Sequence, residues 1–335
     1  MTLLDHPSKI LVTGSAGHLG EALVRTLRAE GHTVVGLDVV DSDTTTVVGS
    51  VNDRRCVQQC IRGVSAVLHT ATLHKPHVAT HTRQAFIDVN ISGTLTLLEA
   101  SVPEAVSAFV FTSTTSVFGD SLAPPKGAPA AWITEDVPLT PKNIYGVTKS
   151  AAEDLCLLFH RKFGLPAVVL RTSRFFPEPD DNAESRRAFD DTQLKVIELL
   201  YRRVDLHDVV SAHTAAMARA REVGFGKFII SATSPFEQGD VHMLHGNAAA
   251  VVRQRIPGFE AVFAAKGWGM LDDIDRVYVN ERARTVLGWR PQYDFARAVD
   301  DLAGERDPRS PLARTITIKG YHLSDHTDGL YPVES

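Results

Sequence analysis

The run Lys9-Ile10-Leu11-Val12-Thr13 passes at once into Gly14-Ser15-Ala16-Gly17-His18-Leu19-Gly20, and that into a helical pattern from Glu21 to Glu30. A short apolar run rich in β-formers reads as a buried strand, so the order is strand, tight turn, helix. Glycines at 14, 17 and 20 let the turn close, let backbone N–H groups approach a pyrophosphate, and let the helix pack close on the strand. The segment therefore predicts a dinucleotide site, against the plainer alternative of a loop that is merely tight.

The residues that follow extend this pattern. A second strand, Thr33 to Leu37, ends in Asp38, about twenty residues past the glycines, where a carboxylate accepts from ribose hydroxyls and repels a 2′-phosphate. NAD is favoured over NADP, unless Asp38 only caps a loop. Val47-Val48 leads into Gly49-Ser50-Val51-Asn52-Asp53, where an adenine can rest on Ser50 and Val51, or Asp53 simply caps a helix. A fourth strand, Ala66 to His69, opens onto Thr70 to His77 at the carboxyl edge of a parallel sheet, where ligands bind. His74, Lys75 and His77 are polar candidates there, or exposed loop residues; two histidines around a Lys-Pro make no metal site without further ligands, and no metal is expected. Residues 83 to 100 read as one helix, with Asn90 in its interior in need of partners or facing solvent. Ala108 to Phe111 is the fifth strand and ends in Thr112-Ser113-Thr114-Thr115-Ser116, hydroxyls suited to a reacting alcohol or to a turn. A Pro-rich loop (Pro124, Pro125, Pro129) reads as exposed, and Ala167 to Leu170 is the sixth strand.

Strands alternating with helices over roughly 170 residues predict an α/β fold with a doubly wound parallel sheet. The expected division is a dinucleotide-binding domain of residues 1–172 and 206–231, and a substrate-binding lid of 173–205 and 232–335. In this scheme Asp208 to Arg221 is a helix and Phe228 to Ser231 a strand added to the sheet. Composition is that of an ordinary globular chain, 44% hydrophobic and 22% charged. A formal charge of -5 with no basic block speaks against a nucleic-acid partner. Three cysteines, Cys56, Cys60 and Cys156, make no disulfide framework and fit a reducing compartment. No leader pattern and no membrane-length apolar run stand out, so a cytoplasmic protein is expected.

Asn143-Ile144-Tyr145-Gly146-Val147-Thr148-Lys149 places a phenol and an ammonium four residues apart, on one face of a helix. A phenol near pKa 10 needs about 4 kcal/mol of preferential phenolate stabilisation to work as a base near neutrality. A neighbouring lysine supplies part of that and a cationic nicotinamide more, so the pair becomes a general base only beside a dinucleotide. An ordinary helical Tyr and Lys is the other reading.

Taken together, Gly14-x-x-Gly17-x-x-Gly20, Asp38, His69-Thr70-Ala71, Asn90-Ile91-Ser92-Gly93-Thr94, Ser113 to Gly119, Tyr145-x-x-x-Lys149, Asp208-Val209 and Leu287-Gly288-Trp289-Arg290-Pro291 resemble the extended short-chain dehydrogenase/reductases, also called the NAD-dependent epimerase/dehydratase family. The resemblance runs from Lys9 to about Phe295. It implies Tyr145, Lys149 and Thr114 as catalytic residues, with Lys149 on the nicotinamide ribose and Thr114 holding the substrate oxygen. It implies NAD contacts from Gly14, Ala16, Gly17, His18, Leu19, Gly20, Asp38, Ser50, Val51, His69, Thr70, Ala71, Asn90, Thr112, Tyr145, Lys149 and Thr172. His74, Thr115, Ser116 and Arg174 are the expected substrate contacts, and a homodimer through the helices at 83 to 100 and 145 to 163 is implied as well.

Departures from the family narrow the chemistry. The 4,6-dehydratases carry Thr-Asp-Glu where this chain has Thr114-Thr115-Ser116, so elimination of water lacks its proton donor. After the sixth strand, Arg174 replaces the usual Asn of nucleotide-sugar epimerases, and Phe176-Pro177-Glu178-Pro179 is similar to uronate dehydrogenases. Arg174 can grip a carboxylate or phosphate bidentately, or pair with Asp180 or Asp181. The expected activity is hydride transfer from a secondary hydroxyl of a sugar or sugar acid to NAD. An epimerase on a nucleotide sugar with tightly held NAD is the alternative, and a dinucleotide-sensing protein without chemistry is the rival from another class.

Overall fold

The computed structural model describes residues 7–125, 127–180 and 183–319. Its strands are β1 (Lys9–Thr13), β2 (Thr33–Asp38), β3 (Val47–Val48), β4 (Ala66–His69), β5 (Ala108–Thr114), β6 (Ala131–Ile133), β7 (Ala167–Thr172), β8 (Phe225–Ile230) and β9 (Arg276–Tyr278). The helices that concern the site are α1 (His18–Ala29), α2 (Arg54–Ile61), α3 (Arg83–Phe86), α4 (Gly93–Ser101), α5 (Ile144–Phe163), α6 (Ala183–Ala188), α7 (Asp191–Glu198) and α8 (Leu206–Val223). Seven strands form one parallel sheet in the order β3-β2-β1-β4-β5-β7-β8.

Side chains of a strand point alternately to the two faces, and here both faces are covered. Ile10, Val12, Ala66, Leu68, Ala108, Val110, Val168 and Leu170 pack against α1 and α8. Leu11, Val67, Phe109, Phe111 and Val169 pack against α2, α4 and α5. Each fully buried Leu or Phe contributes roughly 1.5–3 kcal/mol, which is why continuous apolar runs, rather than alternating ones, form this sheet. From β1 the chain proceeds to β2 on one side, while β4 pairs on the other, and this reversal opens a crevice at the carboxyl ends of β1 and β4.

Three features differ from the sequence reading. The expected helix over 83–100 is α3, a π-helical turn over Ile87–Ser92, and α4. The stretch beyond Pro129 is not all loop: β6 lies there and pairs in parallel with β9 in a second, two-stranded sheet. Ala283, Leu287, Trp289 and Ile316, expected in the lid, pack instead in the core beside α1 and α8. Asp208 explains that packing, since its carboxylate accepts from Gln292 N at 2.9 Å and Tyr293 N at 2.8 Å while Trp289 Nε1 donates to Asp208 O at 3.1 Å. A separate core joins Ile197 and Leu200 to Leu244, Val252, Phe259, Phe263 and Phe295. Among the described residues no helix is long and apolar enough to cross a membrane. The tail from Gly320, with Tyr321, His322 and His326, lies outside the described residues, as does Asp181.

Candidate active site

A groove of about 620 Å³ opens at the crevice. Gly14, Ala16, Gly17, His18, Leu19, Gly20, Asp38, Ser50, Val51, Thr70 and Ala71 line one part of it. The glycines are required by contact. A Cβ on Gly14, whose φ is +71°, would stand 2.7 Å from Ala71 N, and one on Gly20 would stand 1.8 Å from Gly14 O. Gly17 is the N-cap of α1 and has no side chain to satisfy the first-turn N–H groups. Those donors, with the helix dipole behind them, suit an anion such as a pyrophosphate. At the rim, Asp38 accepts from Ala16 N and Val40 N, both at 2.9 Å, which fixes a carboxylate beside the turn. The residues present thus fit a dinucleotide with an unmodified ribose.

The other part of the groove is lined by Thr114, Thr115, Ser116, Tyr145, Thr172, His74 and Arg174. Asn143 caps α5 by accepting from Gly146 N at 3.1 Å, so the helix begins just before Tyr145 and both Tyr145 and Lys149 face inward. Thr114, the last residue of β5, accepts from Ser116 N at 3.1 Å, and its hydroxyl meets the Tyr145 phenol. Burial pushes that phenol up to about 12, the Thr114 bond opposing it. Lys149 is 1% exposed, with Nζ 4.0 Å from the centre of the Phe111 ring. Burial pushes its ammonium down to about 7, Glu153 opposing. The spacing of the pair alone would have Lys149 lowering Tyr145. Burial dominates instead, and the Tyr145 hydroxyl stays protonated at neutral pH.

Several expected contacts are turned elsewhere. The His69 side chain does not reach the groove: Nδ1 meets Thr13 Oγ1 at 2.7 Å and Nε2 meets Thr94 Oγ1 at 2.9 Å, behind the sheet edge. Thr94 donates to Asn90 O, so the hydrogen of His69 lies on Nε2, and burial with Lys149 nearby holds the ring neutral. Asn90 is buried in the π-helical turn and also lies off the groove. It accepts from Leu73 N and donates to Leu73 O and Thr148 Oγ1, so it shapes the groove wall over 72–73 rather than lining it. Thr112 lines the groove but engages His213 Nε2 at 2.7 Å, and Thr172 donates to Ser113 O at 2.9 Å. Lys149 follows Tyr145 by one turn of α5 and is not part of the lining. Asp53 is a helix cap, accepting from Arg55 N and Cys56 N.

Arg174 lines the groove and is also ion-paired to Asp180, with Glu198 at 3.4 Å. Arg202 and Arg203 reach the same Glu198 at 2.7 Å each. Burial would raise the Glu198 carboxyl, but Arg203, Arg202 and Arg174 bring it down to about 2. Sequence reading missed Arg202, Arg276, Tyr278, Glu178 and Lys319, all of which line the groove. Only Glu178 carried a local signal, in the Phe-Pro-Glu-Pro run; Arg276 and Tyr278 arrive through the β6–β9 pairing.

Comparison with known proteins agrees with this geometry. A UDP-glucose 4-epimerase of Lactobacillus helveticus is 25% identical over 328 residues, covering 88% of this chain and 94% of its own length. A uronate dehydrogenase of Pseudomonas syringae pv. tomato is 27% identical over 213 residues, covering 61% of this chain and 73% of that one. The crystal structure of a short-chain dehydrogenase/reductase superfamily protein from Agrobacterium tumefaciens, with bound NAD, superposes with a TM-score of 0.64 at 27% identity, covering 92% of this chain and 97% of the other. The profile of the NAD dependent epimerase/dehydratase family matches residues 10–229, and the chain, with its glycine turn, Asp38 rim and Tyr145 at the groove, belongs to that family.

Proposed function

We propose that this NAD-dependent enzyme oxidises a secondary hydroxyl of a sugar or sugar acid, with Tyr145 as base, Thr114 holding the reacting oxygen and Lys149 biasing the phenol. The observation that carries this reading is the contact between the Thr114 hydroxyl and the Tyr145 phenol at the carboxyl end of β5, inside the groove. NAD, when bound, supplies the hydride acceptor and a positive ring. With the phenol near 12, about 7 kcal/mol of preferential phenolate stabilisation is needed for it to act at neutral pH. Lys149 alone does not supply that much, so Tyr145 takes the proton only in a loaded, water-excluding groove. Thr114 donates to the alkoxide side of the substrate oxygen and orients it toward Tyr145.

Arg174, Arg202 and Arg276 line the groove while paired to Asp180, Glu198 or Asp275, and the further donors of a guanidinium are suited to a substrate carboxylate or phosphate, which supports a substrate that carries an anion. We place a free sugar acid first. The epimerase reading is favoured by one observation, that the relative named UDP-glucose 4-epimerase spans most of the chain. A cytoplasmic location is supported by three unpaired cysteines. The test is to incubate the protein with NAD and a panel of uronates, neutral hexoses and UDP-hexoses, following NADH absorbance and assaying copurified dinucleotide by mass. NADH formed with a uronate supports the proposal; tight NAD with interconversion of UDP-hexoses and no net NADH assigns the epimerase. Tyr145→Phe should abolish turnover and leave NADH affinity unchanged, and an active Tyr145→Phe protein refutes the mechanism.

A further inference from the structure

Beneath the Tyr145 and Lys149 pair lies a carboxylate that the reaction above does not use. Glu153 follows Lys149 by one helical turn on α5, as Lys149 follows Tyr145, so the three rise along one face. Glu153 is fully buried. Its oxygens accept from Ser113 Oγ at 2.6 Å, from Arg171 Nε at 3.0 Å and Nη2 at 2.7 Å, and meet Lys227 Nζ at 3.1 Å. Burial alone would raise this carboxyl, but Arg171, Lys227 and Ser113 hold it ionised.

The surroundings of Lys149 leave Glu153 as its counter-charge. On α5 it follows Tyr145 by one turn and lies near Glu153 and Cys156; β4 brings His69, and β5 brings Phe111. Arg171 of β7 and Lys227 of β8 are in direct contact with Glu153. Burial pushes the Tyr145 phenol and the Cys156 thiol up, and His69 is held neutral, so among these groups Glu153 alone is anionic near pH 7. One carboxylate is thus shared by three cations, two in contact and one a turn away.

We propose that Glu153 is a positioning residue that holds the proton on Lys149, and that Arg171 and Lys227, by sharing its carboxylate, set how firmly it does so. This rests on the reading of Tyr145 and Lys149 as the catalytic pair. Burial and Glu153 together leave Lys149 near neutrality, where a modest change of field decides whether a cation or a neutral amine stands one turn from the phenol. Lys227 is remote from the groove lining, so it tunes the site without entering it.

Two substitutions shift Lys149 in opposite directions. Glu153→Gln removes the counter-charge and should lower the Lys149 midpoint by about one pH unit or more. Lys227→Met removes a competitor and a like charge and should raise it. The readout is a pH titration of the Cε resonance of isotope-labelled lysine, with the Lys149 signal assigned by Lys149→Met, at pH values where thermal unfolding shows each variant folded. If Glu153→Gln does not fold, Lys227→Met carries the test. Opposite movements, or an upward movement in Lys227→Met alone, support the proposal. A Lys149 midpoint unmoved in Lys227→Met, or moved the same way by both changes, overturns it.

A second measurement links this charge to the coenzyme. In a Tyr145→Phe background NAD and NADH are titrated by fluorescence across the same pH range. A charged Lys149 repels the oxidised ring, so NAD tightens relative to NADH as the proton leaves, at the midpoint seen by resonance. A crossover that ignores that midpoint overturns the placement of Lys149 beside the nicotinamide, which is the catalytic reading, and is thereby distinct from failure of the Glu153 proposal.

Discussion

The oxygen of Thr114 accepts from Ser116 N, which leaves the hydroxyl hydrogen for the phenol or for a substrate oxygen. Thr114→Val keeps the shape and removes the donor. We expect kcat to fall by about 100-fold, the usual effect of deleting one preorganised donor, with NADH affinity unchanged in fluorescence titration. His213 gives a second prediction at this scale. Buried between Thr112 and the Val209 carbonyl, it is pushed down from 6.5 to about 4. A histidine with a depressed folded pKa is protonated first in the unfolded chain, so its contribution is complete above about 6.5 and is lost as pH falls toward about 4. The loss approaches about 3 kcal/mol, and His69, shifted the same way, adds to it. Burial pushes the Asp208 carboxyl up to about 6, which works in the opposite direction over the same range, so the test compares the wild type with His213→Gln: urea unfolding at stepped pH should fall more steeply below about 6.5 in the wild type, and equal slopes would contradict the assignment.

Among elements, the π-helical turn between α3 and α4 matters most to the site. One wider turn rotates Asn90 inward, where it bonds the backbone of Leu73 and the hydroxyls of Thr72 and Thr148, tying the loop after β4 to α5. Asn90→Ala leaves the half-buried Leu73 N–H without this acceptor, while Thr72 and Thr148 keep other partners, and should cost about 1–2 kcal/mol in urea unfolding, with weaker NADH binding as the loop loosens. The sequence marked Asn90 as a residue in need of partners. It did not mark the break in helical register, because the apolar spacing of Phe86, Val89, Leu97 and Leu98 is compatible with a continuous helix; only docking against α5 and the 72–73 loop makes the wider turn favourable. α5 was legible nearly to the residue, since Asn143 at its cap and Gly164 in the left-handed conformation at its end are local signals.

For the whole molecule, the apolar residues left outside the core bear on assembly. Val147 and Leu158 of α5, 48% and 44% exposed, lie about three turns apart on one helix face, with Ile87 also exposed on the neighbouring element. We expect a homodimer through this face, with light scattering giving twice the chain's 36.5 kDa and the double change Val147→Asp and Leu158→Asp giving the monomer. The sequence by itself determined the sheet, the glycine turn, the Asp38 rim and the Tyr145 to Lys149 spacing, because each follows from local periodicity and the backbone freedom of a few glycines. Tertiary structure alone decided that His69 turns to Thr13 and Thr94, that Arg174 is shared with Asp180 and Glu198, and that Arg202 and Arg276 reach the groove. The three-residue strands β6 and β9 carry too little pattern to announce their pairing, and the direction of a buried charge depends on which distant partner neutralises it.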